Sequence, residues 1–369
     1  MLVENASSRS DRAGTYPTRE GSMNALLKRS GILIIGLSAA ACAERTITDP
    51  PRAKDVSGMG PSFTVLPGAQ VVVNFEPLSA GIWYVPGPIH GQDDWSSLGA
   101  NGSGCALYDH QVVVNPAAGT SYSYADFALQ SLRLSNAVTS GCFGDQTFSK
   151  RLDNAAGETD ADGGGYDKVP GPRRSHFEAQ WDFASTVPDA EQPDLSVVAS
   201  PDRGDGARMS WVQMLDKRNG IDINFFDVRG TSDPAHFVGP TGVISNLDRR
   251  VPHTIRITMD FFDGPSNDVV KVYVDGSLKH IGTSWENYYR YDSEAAAHAG
   301  KTPIVNRILF RTGGAAAIGN MGKGFVIDNF SMKSADGPTS ASQCKNNGWQ
   351  SFDWFTNQGE CMQYVKMSS

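Results

Sequence analysis

Residues 285–291 read WENYYRY, four aromatic rings with a carboxylate, an amide and a guanidinium among them. Aromatic faces stack on the C–H faces of sugar rings, and Glu, Asn and Arg hydrogen-bond hydroxyls. Trp285, Glu286, Tyr288 and Arg290 are therefore candidate ligand-binding residues. The same composition also suits a long loop folded onto a sheet edge, and both readings stand. A second candidate set is spread along several strands: Glu178, Gln180, Arg208 and Asn224, with Asp222, Arg256 and Asp260. These polar side chains could share one sheet surface, as a sugar-binding face, a catalytic face or a plain solvated face. A third is the acidic, glycine-rich run 160–167 (DADGGGYD), in which Asp160, Asp162 and Asp167 offer oxygens to Ca²⁺. Calcium takes about six to eight oxygen ligands, and this loop lacks the fifth-position Asp and twelfth-position Glu of an EF-hand. A flexible acidic loop is the rival reading. No Gly-x-Ser-x-Gly elbow supports a serine hydrolase.

The elements that must hold these residues are strands. Residues 269–281 form the clearest unit: Val270, Val272 and Val274 share one face, and Asp275-Gly276 supplies the two positive-φ positions of a tight hairpin turn. Residues 176–183 alternate without a break, with Phe177, Ala179, Trp181 and Phe183 opposing His176, Glu178, Gln180 and Asp182. Ile255, Ile257, Met259 and Phe261 repeat the pattern in 253–262. Further strands are expected at 70–75, 111–114, 131–135, 194–200, 208–215, 220–227, 307–312 and 324–332. Dense turn signals separate them, such as 201–206 (PDRGDG) and 263–265 (DGP). About twelve short strands, each with one apolar and one polar face, predict an all-β fold of two antiparallel sheets packed as a sandwich. The one helix expected is short, near 287–299.

Residues 270–276 (VKVYVDG) with the strand after them, and the late 324–330 (GFVIDNF), resemble concanavalin A-like lectin/glucanase (LamG-like) jelly rolls of bacterial secreted proteins. Residues 91–95 (GQDDW) and 141–145 (GCFGD) resemble the same group. The resemblance spans roughly 70–334 and implies a jelly-roll sandwich. In glycosidases and lyases of this fold it implies a concave sheet that binds the sugar chain and carries the catalytic groups. The chain departs from both enzyme patterns. The laminarinase-like signature Glu-x-Asp-x-x-Glu is absent from 176–182, and Arg174, His176 and Glu178 only echo the Arg-x-Glu strand of alginate-lyase-like enzymes, with no Gln-x-His pair. Many proteins of this group have no assigned activity, so fold carries across better than function.

The ends of the chain carry different signals. From Met23, Lys28-Arg29 precede the apolar 31–37 (GILIIGL) and the small residues before Cys42, the order of a secretory signal. Residues 1–41 are therefore expected to be an export signal, its true start at Met23. It is similar to a bacterial lipoprotein signal, with lipid on Cys42, although Ala39 stands where Leu is usual; cleavage after Ala41 or Ala43 would release a secreted protein instead. Residues 42–67 read as a tether, 68–334 as the sandwich and 335–369 as a small terminal module. Setting Cys42 aside, Cys105 with Cys142 and Cys344 with Cys361 form two local groups, expected as two disulfides in an oxidising compartment. No Cys-x-x-Cys spacing or nearby histidine favours zinc.

Net charge is −8, and without residues 1–41 (five basic, three acidic) it is 27 minus 37, or −10, with no basic patch to attract nucleic acid. The leading expectation is an exported, envelope-anchored, carbohydrate-binding protein without catalysis, its partners a glycan or polysaccharide and the membrane through Cys42. The alternatives are a polysaccharide-degrading enzyme, lyase before hydrolase, and a structural surface module. No cofactor is implied other than Ca²⁺.

Overall fold

The computed structural model describes residues 65–77, 84–98, 105–138, 145–162, 172–298 and 300–369. The expected export signal, Cys42, most of the tether, Cys142 and Asp167 lie outside them. The described strands are β1 (Val71–Val73), β2 (Gly87–Pro88), β3 (Ser96–Leu98), β4 (His110–Val114), β5 (Gln130–Leu134), β6 (Gln146–Phe148), β7 (His176–Ser185) and β8 (Ser196–Asp202). They continue as β9 (Val212–Lys217), β10 (Gly220–Arg229), β11 (His236–Leu247), β12 (His253–Asp260), β13 (Val269–Val274), β14 (Ser277–Gly282), β15 (Arg307–Gly313) and β16 (Phe325–Ala335).

Two antiparallel sheets form a β-sandwich of jelly-roll type. The first has nine strands in the order β14-β13-β12-β7-β16-β5-β4-β2, with β1 also on β16; the second has seven, β11-β10-β9-β8-β15-β6-β3. Alternation sets the register. Ile255, Ile257 and Met259 of β12 face Val274, Val272 and Val270 of β13 on one side and Trp181, Ala179 and Phe177 of β7 on the other. All nine are fully buried. Ile221, Ile223, Phe225, Val212, Met214 and Phe310 of the second sheet meet them in one core. Each such side chain contributes about 1.5–3 kcal/mol on leaving water.

The hairpin turn is as the sequence implies, with φ of 50° at Asp275 and 72° at Gly276. β16 changes partner midway. Phe325 to Ile327 pair with β5, Asn329 turns to φ 49° in a bulge, and Phe330 to Met332 pair with β1.

Two expectations are corrected. Among the described residues the strands number sixteen rather than about twelve, and β11 lies where the sequence implied no strand. Helices are not confined to 287–299. Besides α2 (Glu286–Tyr291) and the 3₁₀ turn Ser293–His298, there are α1 (Ala106–Asp109), α3 (Ala341–Cys344) and α4 (Gln358–Met367). Asn357 starts α4, its side chain accepting from Glu360 N at 3.0 Å, while Glu360 accepts from Thr356 N at 2.8 Å. The Cys344–Cys361 disulfide is formed and ties α3 to α4. Among the described residues no helix is long and apolar enough to cross a membrane.

Candidate functional site

The polar residues expected on one sheet surface lie on two. Cross-strand pairing puts Gln180 opposite Arg256, His176 opposite Asp260 and Lys333 opposite Glu178 on the outer face of the nine-stranded sheet. Asp222 and Asn224 belong to β10 in the other sheet, where Asn224 Nδ2 donates to Gln213 Oε1 at 3.0 Å. Arg208 sits ahead of β9 and bridges to Asp202. The sequence carries the alternation but not which strand joins which sheet.

The face at Glu178 is closed. His176 Nδ1 is 2.6 Å from Asp260 and its Nε2 is 3.1 Å from Glu178; Arg256 Nε donates to Glu178 at 2.7 Å, and Lys333 lies 3.2 Å away. Residues beyond β16 fold back over this network. Trp354 covers His176, Lys333 reaches Asp353 at 2.6 Å, and Phe355, Tyr364 and Phe262 pack beside them. Burial works against the charge on His176, but the bonds to Asp260 and Glu178 outweigh it and raise its pKa. Burial likewise opposes the Glu178 carboxylate, yet His176, Arg256 and Lys333 hold its pKa down to about 2.

The aromatic segment divides. Trp285 N donates to Met209 O at 2.8 Å, which fastens α2 beside Arg208, and Trp285 Nε1 donates to Phe226 O at 3.1 Å. Trp285 and Tyr288 are half-buried and pack against the sandwich core. Phe237 of β11 stands edge-on to Trp285 at 5.0 Å and lies 5.4 Å from Tyr288. Tyr288 then borders an open hollow of about 280 Å³ with Arg203, Asp205, Tyr289, Glu294 and His298. Burial, then Glu294 and Asp292, raise the Tyr288 pKa, and its hydroxyl bonds Glu294. Arg203 Nε donates to Asp205 at 2.9 Å and its Nη2 to His298 Nε2 at 3.0 Å. Arg208 Nε is buried without a hydrogen-bond partner, and its charge acts on both Tyr288 and Tyr289. Trp285, Tyr288 and Arg208 are thus brought together, while Phe237 and Arg203 gave no sequence signal because they come from distant segments, and His298, ten residues after Tyr288, carried none of its own.

Glu286 and Arg290 turn the other way. Glu286 is 1% exposed and accepts from the backbone N–H of Asn267 at 2.9 Å and of Asp268 at 3.0 Å. Arg290 is hydrogen-bonded to Glu158. Burial pushes the Glu158 carboxyl up to about 7 against the pull of Arg290, and burial beside Glu286 and Glu158 raises Asp268 well above the carboxylate range.

The expected calcium loop does not assemble from its described members. Asp162 is engaged by Arg203 at 3.3 Å and His298 at 3.2 Å, whereas Asp160 lies 3.7 Å from Arg290.

No protein-family model matches the chain, and no curated protein matches it. Among solved structures it is similar to an alginate lyase, Aly36B, in complex with alginate trisaccharide, at 8% identity and a TM-score of 0.40, covering 72% of this chain and 98% of that one. It is similar to the binding domain of botulinum neurotoxin serotype D at 13% identity and a TM-score of 0.30, over 65% and 47% of the two chains. It is also similar to a sialidase at 12% identity and a TM-score of 0.32, where 66% of this chain spans 18% of the sialidase. At these identities and scores no residue role carries across.

Proposed function

We propose that this chain is an exported carbohydrate-binding β-sandwich protein that holds a glycan at the Tyr288 hollow and performs no chemistry on it. Export and lipid anchoring at Cys42 belong to the same proposal and rest on the signal-like residues 23–42. The observation that carries the binding reading is the hollow itself. It is open, it is bordered by Tyr288, and the half-buried ring of Trp285 and the exposed ring of Phe237 lie beside it. Arg203 and His298 also line it and offer guanidinium and ring nitrogens to a sugar hydroxyl or carboxylate.

The polysaccharide-degrading reading has less support. The imidazole–carboxylate network at His176, Glu178 and Asp260 is buried under Trp354, whereas His298, which borders the hollow, and Asp162, 3.2 Å from it, are the pair that the turnover assays below address.

The test is a glycan array with the wild-type chain and with Trp285→Ala plus Tyr288→Ala, alongside reducing-end and unsaturated-product assays on acidic polysaccharides. Binding that the double variant loses, with its circular dichroism kept and no turnover, is the expected result. Unchanged binding removes the hollow as the site, and turnover replaces the lectin reading with the enzyme.

A further inference from the structure

The inner side of α2 carries a site of another kind. Glu158, Asp268 and Glu286 each present a carboxylate oxygen, and the three oxygens lie within 4.8 Å of one another. The residues are 2%, 3% and 1% exposed, so water does not dilute their charge. One guanidinium serves two of them, and Asp268 has none. Arg290 is hydrogen-bonded to Glu158, and its Nε stays 3.6 Å from Glu286 Oε2, an ion-pair distance without a hydrogen bond. Three carboxylates against one arginine leave two negative charges buried, a balance that proteins meet with a proton or a cation.

A second observation favours the cation. Glu286 Oε2 is buried, points into the cluster and accepts no hydrogen bond. The other oxygen of the same carboxylate accepts two backbone N–H groups, so the side chain is fixed in place with one oxygen left over. Ser284 Oγ is spent on Asp268 at 2.7 Å and Thr302 Oγ1 on Glu158 at 3.2 Å, and the unpartnered Arg290 Nε stays 3.6 Å away, beyond hydrogen-bond reach. Glu158 also belongs to an outer group with the exposed Asp160 and Asp263, so acidic oxygens run from solvent down to Glu286.

We propose that Glu158, Asp268 and Glu286 form a binding site for one divalent cation, of the calcium type. An all-oxygen, carboxylate-rich set of this kind suits a hard cation, and two positive charges match the two left uncompensated. This site is distinct from the run at Asp160, Asp162 and Asp167, since Asp162 is bound to Arg203 and His298. It is also independent of glycan binding. Because Glu286 opens α2, the bound cation fixes the helix whose outer side carries Tyr288.

The full chain, stripped with EDTA, is titrated with CaCl₂ by calorimetry and thermal unfolding. The expected result is a single site, with Tm raised by about 5 °C or more at a hundredfold excess over Kd. Glu286→Gln and Asp268→Asn, which keep side-chain volume and remove a buried charge, fold without calcium, unfold above the calcium-free wild type and lose the calcium response. Asp162→Asn keeps it. A wild-type chain with neither binding heat nor Tm shift overturns the proposal, as does a response that survives Glu286→Gln or vanishes in Asp162→Asn. Since glycan is absent from these measurements, failure of the lectin reading leaves their outcome unaffected.

Discussion

The imidazole of His176 lies flat against the indole of Trp354, ring centroids 4.1 Å apart and planes inclined by 9°. This contact joins the most regular strand of the nine-stranded sheet to the end of the chain. It also buries the His176 and Glu178 end of that strand's polar outer face, while Gln180 and Asp182 stay half-buried.

Trp354→Ala removes the ring that covers His176 and that packs 5.5 Å from Phe352 and 5.4 Å from Phe355. The loss of a buried indole costs about 3 kcal/mol in denaturant unfolding. A cost under about 0.5 kcal/mol, that of an ordinary surface change, would mean that the ring does not hold the cover down.

His176 makes stability pH-dependent with a definite sign. Its folded pKa is raised above the ordinary 6.5, so its contribution is fully present below pH 6.5 and is lost as pH rises through the folded value. Melting temperatures across the neutral to alkaline range should fall for the wild type and flatten for His176→Asn. Glu178, held at about 2, loses its own contribution only when the solution is strongly acidic.

Cys344 and Cys361 are 17 residues apart, and their bond restrains the unfolded chain. Replacing both by Ser costs about 3 kcal/mol in the chain-entropy account. Chemical unfolding of the double variant beside the oxidised wild type measures the difference.

Arg290→Ala leaves Glu158 and Glu286 without their guanidinium in a buried setting. Removal of one partner from a buried ion pair costs about 3–5 kcal/mol. Reduced stability at any ligand concentration is the expected outcome. Full stability with a selective loss of glycan binding would return Arg290 to the ligand surface, where the sequence alone suggested it.

Phe237→Ala trims a ring that is 43% exposed and touches both Trp285 and Tyr288. Stability changes by less than about 1 kcal/mol, while glycan affinity falls by about twofold or more, the low end for a stacked aromatic contact. Titration of the best array ligand by calorimetry reads the effect.

The hairpin at 269–281 and strand β7 were legible because alternation and an Asp-Gly turn are local signals. β11 was not, because Gly239, Pro240 and Gly242 interrupt its alternation. A Cβ on Gly239 would lie 2.8 Å from Phe225 O, and glycine is what lets this edge strand approach. α4 was missed because it is polar along most of its length and its start depends on side-chain caps. Half of the site was legible as composition, in Trp285 and Tyr288. Its other walls, Arg203 and His298, stand 95 residues apart in sequence and meet only in the folded chain. The inward turn of Glu286 and Arg290 is set by Glu158, 132 residues before Arg290, which no local pattern announces.

β16 runs through the nine-stranded sheet between β7 and β5, and it also receives β1. Val71 therefore pairs with Met332, a partner made some 260 residues later. On a ribosome, the first and largest sheet would stay open along its middle until nearly the whole chain had emerged. Long-range pairing of this kind makes folding slow and leaves unpaired strand edges exposed meanwhile. A truncation anywhere before residue 325 would remove the strand that joins the two halves of the sheet, and would leave an aggregation-prone remnant instead of a smaller working domain.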